Sequence, residues 1–273
     1  MDQAGINGMW AVLVFDITSL ILLIPYILKS RQVQIPGRFR VNLTSVFSGL
    51  GFVLYMGSFL YTEVVRALVL FYLLPIWGFI IARIIIGEKI TPIRWLSMVF
   101  GLIGLIVICG IENGIPIPNN IGDCMALLAG LVWASVSLAM LTDRPDPFNY
   151  TFAFIFWGSV WAAITAIITT QSGMLPMPRW ENLDTILLWL VPLTILIIIP
   201  AAFATLYAPS KLNPGIVGLL FMTEISVGAG TAAVFAGEPF GFKEIAGIVF
   251  ITLAGIAEPL YSLYRARNKT PGI

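Results

Sequence analysis

Asp16 and Glu224 are lone carboxylates inside apolar runs, "VLVFDITSLILLIPY" and "GLLFMTEISVGAGTAAVF". A charge at the centre of a membrane-spanning helix costs about 2.5–3.5 kcal/mol on insertion scales, so such a group faces a cavity, a partner or a solute. Three roles are open to each: coupling to a proton or cation, contact with a solute, or a structural hydrogen bond between helices. Arg66 follows Glu63 across a short turn, and two readings stand beside each other. One is a solvated turn with a local ion pair; the other is a cation that attracts a carboxylate-bearing solute. Tyr72, Trp77 and Trp133 lie deep in apolar runs, where their faces suit the wall of a cavity for a mostly apolar solute and their polar tips need partners. Arg83 and Glu258, near span ends, read as interfacial side chains reaching for water.

Other chemistry lacks its equipment. The chain has no histidine, which excludes Ser-His and His-metal sites, and it has no G-x-x-x-x-G-K-[ST] phosphate loop. Cys109 and Cys124 sit near the ends of two apolar runs and suggest neither a metal cluster nor a disulfide framework. No enzyme, no cofactor and no metal is therefore expected. A net charge of +1 without a dense basic block gives no nucleic-acid surface.

These residues are held by a membrane scaffold. Of 273 residues, 59% are hydrophobic and 11% charged, far from the roughly 25% charged content of a soluble domain. Crossing about 30 Å of hydrocarbon takes about 20 apolar helical residues. Nine such helices are expected, at about 9–28, 42–61, 65–86, 93–111, 122–142, 149–171, 184–207, 214–235 and 243–264. Within the third, Pro75 is expected to kink the helix, and Gly87-Glu88 to make a tight turn with the acid near the next helix start. Small residues recur at four-residue spacing, as in Ser97 and Gly101 or Ala126, Gly130 and Ala134, which lets helix backbones approach closely.

Lys and Arg are distributed unevenly between alternating loops. Twelve, among them Arg31, Arg83, Lys89, Arg94 and Lys211, fall on one side, and only Arg66, Arg179 and Lys243 on the other. The richer side is expected to be cytoplasmic, which places the C-terminus inside and the N-terminus outside. An internal repeat also emerges. "IIIGEKITPIRWLSMVFGLIG" resembles "VFAGEPFGFKEIAGIVFITLAG", pairing Gly87 with Gly237 and Glu88 with Glu238. The matched triplets are spans two to four and seven to nine, and an offset of five crossings inverts the second copy. A complete five-helix unit puts two helices before each triplet, and the first copy has one, so an N-terminal helix is expected to be missing.

Pro75 followed by Gly87-Glu88, Trp133-Ala134, and Glu224 followed by Gly237-Glu238-Pro239 together resemble the drug/metabolite transporter superfamily, in its EamA-like branch. That resemblance, from about 9 to 264, implies an all-α integral membrane fold with a family pattern of ten helices in two inverted five-helix repeats. Here residues 1–112 would form a first repeat lacking its first helix and 113–273 a second. The stretch "RALVLFYLLPIW" is similar to exporters of aromatic amino acids and related metabolites. The function implied is a secondary transporter of the inner or plasma membrane, exporting small organic metabolites, amino acids among them, by alternating access. Its partners would be the small-molecule substrate, a coupled proton and the lipid bilayer, with the protein a monomer or homodimer. Substrate contacts are expected from Tyr72, Trp77, Trp133, Arg66 and Glu224, coupling from Asp16 or Glu224, and hinge or structural roles from Pro75, Gly87, Glu88, Gly237 and Glu238. The alternative is a non-transporting scaffold, or a transporter inactive for want of its first helix.

Overall fold

The computed structural model describes residues 5–30, 39–109, 117–178, 180–181, 183–231, 234 and 241–268; Gly237 and Glu238 lie outside these, as does the side chain of Glu258. The described residues fold as helices joined by short turns. In order these are α1 (Met9–Ser30), α2 (Phe39–Ser58), α3 (Val64–Phe71), α4 (Leu74–Ile85), α5 (Pro92–Cys109), α6 (Ile121–Asp143), α7 (Pro147–Gln171), α8 (Leu183–Leu193), α9 (Ile199–Tyr207), α10 (Pro214–Phe221), α11 (Thr223–Thr231) and α12 (Phe242–Asn268). Val64–Ile85, Ile121–Asp143, Pro147–Gln171 and Ile186–Ser210 are long and apolar enough to cross a membrane, and shorter apolar helices pack among them. The protein is a multi-pass, all-α membrane protein.

Three expected spans are not single helices. Residues 65–86 do not bend at Pro75: α3 ends at Phe71, Tyr72 and Leu73 form a turn, and Pro75 falls in the first turn of α4. A proline there costs no hydrogen bond, because the first amides of a helix have no partner within it. The expected span 184–207 contains a π-helical turn at Thr194–Ile198 between α8 and α9. Pro200, in the first turn of α9, cannot donate to a carbonyl one turn back, and the ladder widens just before it. The third, 214–235, breaks at Met222, which is fully buried and whose sulfur would stand 2.8 Å from a Cβ placed on Gly101 of α5.

Counterpart helices start in register. α3 begins at residue 64 and α10 at 214, α5 at 92 and α12 at 242, so each second helix starts 150 residues after the first. Both α3 and α10 follow a capping residue in extended conformation, Glu63 and Asn213. These counterparts pack against one another in opposite directions. Along α4 and α10, Gly78 meets Gly215 and Pro75 meets Gly218, and a Cβ on Gly78 would stand 2.5 Å from the Gly215 nitrogen. Along α5 and α12, Gly104 meets Gly247 and Gly101 meets Ala254, with a Cβ on Gly104 only 2.7 Å from the Gly247 carbonyl. Without a hydrophobic drive between helices in lipid, such backbone approach is a main source of association.

α6 runs along α2 and against α3 and α4, while α1 packs on α7. Among the described residues nothing takes the corresponding place beside α8, α9 and α11. Only 17% of the Ile186–Ser210 window is buried, against 50% for Val64–Ile85 and Ile121–Asp143.

Candidate functional site

Tyr72 occupies the turn between α3 and α4, and its side chain is fully buried. Its hydroxyl donates to Glu224 Oε2 at 2.8 Å. Glu224 stands in the first turn of α11, just past the break at Met222, where the helix dipole favours an acid. The hydrogen bond thus joins the two places at which counterpart helices stop and restart. One phenol satisfies part of what a carboxylate can accept, and the Glu224 side chain is otherwise exposed. It remains open to an ammonium group or another donor.

Aromatic rings surround this pair. Tyr55 stacks on Phe71 with centroids 4.1 Å apart, and Phe71 meets Tyr72 edge to face at 5.1 Å. Trp133, only 5% exposed, lies 6.1 Å from Phe221 and 5.9 Å from Phe154. α6 brings it there because Gly130, one turn earlier, lets the helix approach the Phe71 carbonyl. Trp77, on α4 beyond the break, is partly buried, and its Nε1 has no hydrogen-bond partner among the described residues.

Asp16 is separate from this pair but connected to it through rings. About a third of the way along α1, it faces Gly158 of α7, where a Cβ would stand 3.1 Å from Oδ2 and 3.9 Å from Phe52. Phe52 in turn packs on Phe154, the neighbour of Trp133. The Oδ2 atom is buried and without a hydrogen-bond partner among the described residues. No group of three or more metal-ligating side chains occurs among those residues.

Arg66 is not beside Tyr72. It lies six residues earlier, about 9 Å along the helix, and it pairs with Asp123 rather than with Glu63. Its Nη2 is 2.5 Å from Asp123 Oδ2 and 3.1 Å from the Ile117 carbonyl, and its Nε donates to Oδ1 at 3.4 Å. Asp123 has no exposed side-chain surface, and it also accepts from Thr62 Oγ1 at 2.6 Å and from the Asn119 amide at 3.2 Å. A buried carboxylate survives when its lone pairs are filled by a cation and donors together, and these fill them. Asn120 caps α6, accepting from the Asp123 amide at 2.8 Å, while its Nδ2 donates to Thr62 at 3.2 Å. The result is a polar clasp between the α2–α3 turn and α6.

A second clasp lies at the opposite end of the molecule. Glu88 Oε1 is 2.8 Å from Arg94 Nη1, and Oε2 accepts from Asn213 Nδ2. Glu88 therefore sits in the turn before α5 and joins α5 to the start of α10, a stronger role than the helix-start placement expected for it. Gly87 makes that turn at φ +70°, where a side chain is strained. Arg94 also lies over the Phe79 ring at 5.8 Å, and Phe79 packs on Gly215. Arg83 is exposed and donates to the Gly87 carbonyl at 3.4 Å.

Asp123, Thr62, Asn120 and Asn213 were not among the residues singled out by sequence. The string "NNIGD" did carry a signal, a capping asparagine with an acid three residues on. Asn213-Pro214 likewise reads as a cap before a helix that opens with proline.

Residues 4–110 match the EamA-like transporter family. The resemblance drawn from the sequence is borne out over that segment. No curated protein matches the chain. A protein of known crystal structure superposes with a TM-score of 0.74 at 16% identity, covering 95% of this chain and 90% of its own. At that identity the likeness is one of fold.

Proposed function

With residues 4–110 taken as an EamA-like transporter segment, we propose that the protein is a secondary transporter of the cell membrane, exporting small organic metabolites that include amino acids, by alternating access. The Tyr72–Glu224 hydrogen bond carries this reading. Inverted repeats commonly bind their solute where discontinuous helices meet near the membrane midplane, and here a partly unsatisfied carboxylate stands at such a meeting. Glu224 takes the ammonium group of the solute. Trp133 and Phe221 face its apolar part, and Trp77 offers an unfilled N–H. Energy comes from the solute gradient together with a proton carried by Asp16. The end bearing Glu88, Arg94 and Lys211 is cytoplasmic, as the Lys and Arg distribution favours, and the C-terminus lies on that side. Arg66 serves the clasp with Asp123 and does not contact solute.

Counterflow in proteoliposomes tests this. Labelled aromatic and other amino acids should exchange across vesicles holding the protein and not across those holding Glu224→Gln. If none in a broad panel exchanges through the unaltered protein, the transporter reading fails and the scaffold reading replaces it.

A further inference from the structure

Charge is one-sided around the Tyr72–Glu224 pair. The stretches 41–65, 67–82, 95–143 and 212–242 supply Tyr55, Tyr72, Trp77, Trp133 and Glu224, and they contain no Lys or Arg; the chain has no His. Arg66 lies about 9 Å from Tyr72 along α3, and its guanidinium is taken by Asp123 and by the Ile117 carbonyl. At the other end Arg94 is bound to Glu88 beside Asn213, roughly 16 Å from Glu224 along α10 and α11. Among the described residues, a solute seated on Glu224 therefore meets fixed negative charge and no positive charge.

Backbone amides do not make up for this. A carboxylate is often held where a helix starts, by amides that lack a partner within the helix. Two half-helices start at this site, α4 and α11. In α4 Pro75 has no N–H, and the amides of Ile76 and Trp77 both donate to the Leu73 carbonyl, at 3.0 and 3.2 Å. In α11 the Ile225 amide donates to the Met222 carbonyl at 3.1 Å, and Glu224 itself stands in the first turn. The buried side-chain donors on these two helices that have no partner among the described residues are neutral, Trp77 Nε1 and Ser226 Oγ.

We infer that the site selects amines without a free carboxylate: an aromatic monoamine, or an amino acid whose carboxyl group is masked as an amide or ester. The inference names the solute class for the function proposed above and rests on the solute position given there. The ammonium gains Glu224 and the faces of the surrounding rings, both of which favour a cation. A carboxylate on the neighbouring carbon is drawn out of water against Glu224 with no cation to pair it, and burying an ion unpaired is strongly unfavourable. A neutral carbonyl or hydroxyl in its place avoids that cost, and neutral donors suit it. Amino acids are then held by the ammonium group alone and bind more weakly than their amides.

Calorimetric titration of the wild-type protein in detergent tests this, since it requires neither transport nor a variant. The probes are tryptamine, tryptophan amide, tryptophan and indole-3-propionate, at about pH 6, where the amines are protonated and the carboxyl groups ionised. Tryptamine and the amide should bind at least about tenfold tighter than tryptophan, the effect of one unmatched charge. Indole-3-propionate, which keeps the ring and the carboxylate but lacks the ammonium, should not bind detectably. Glu224→Gln, checked for folding by chromatography, should weaken tryptamine by more than about tenfold. Tryptophan binding as tightly as tryptamine would overturn the inference and leave the transporter reading intact. Binding of indole-3-propionate as tight as that of tryptamine would reveal an anion site and overturn it too. If none of the four binds, the inference falls, and amino-acid counterflow decides separately whether the transporter reading falls with it.

Discussion

The Tyr72 hydroxyl donates to Glu224 Oε2 at 2.8 Å, across the two points where α3–α4 and α10–α11 break and resume. Removing the phenol leaves the carboxylate in place without its donor, and a hydrogen bond to a charged group contributes about 1.5–3 kcal/mol. Tyr72→Phe should therefore weaken amino-acid binding by roughly tenfold while the protein stays folded, as read by calorimetric titration in detergent.

Arg66 and Asp123 pair at one end of the molecule, the carboxylate covered and the guanidinium partly exposed. Removing Arg66 leaves the covered Asp123 carboxylate without its cation, which is destabilising. Arg66→Ala should lower the melting temperature sharply in detergent, whereas Arg66→Met with Asp123→Leu should recover much of the loss. Counterflow by that double variant should keep its concentration dependence, because the proposed solute position does not include Arg66. A large rise in the half-saturating concentration in a stable double variant would return Arg66 to the solute path.

Gly104 and Gly228 separate packing from helix propensity. A Cβ on Gly104 runs into the backbone and side chain of Gly247 and Ile251, so Gly104→Ala should destabilise the α5–α12 pair by about 1–3 kcal/mol through overpacking. A Cβ on Gly228 meets nothing within 4 Å among the described residues, and Gly228→Ala should be neutral or gain up to about 1 kcal/mol. Melting curves of the two variants side by side check the contrast.

Asp16 carries a buried oxygen without a described hydrogen-bond partner. As the proposed proton carrier it is dispensable for solute exchange and required for driven transport. Asp16→Asn should keep counterflow and lose the accumulation driven by an imposed pH gradient. Equal acceleration of wild type and Asp16→Asn by the same gradient would remove it from coupling.

Spans and their order were legible because lipid imposes one rule on every residue: long apolar runs with polar turns. The breaks were harder to read. Pro75 advertised an interruption, but the helix stops at Phe71, four residues earlier, because proline suits the first turn of a new helix better than the middle of an old one. At Met222 no proline or glycine marks the break, which rests on burial against Gly101 of a distant helix. Glu224 was identifiable as a lone acid in an apolar run, while its partner Tyr72, 152 residues away, was visible only as an aromatic. Arg66 was conspicuous for its charge, yet Asp123, hidden at the start of α6, decides its role. Long-range polar pairs leave little trace in one sequence, since each member is also a plausible cap or turn residue.

Counterflow through reconstituted protein, wild type against Glu224→Gln, tests the central claim most directly. Exchange of labelled amino acids by the wild type, and its loss by more than about tenfold in a folded Glu224→Gln protein, is the predicted result, as expected when a charge-assisted contact to the solute is removed. Equal exchange by both proteins would contradict the placement of the solute's ammonium group on Glu224.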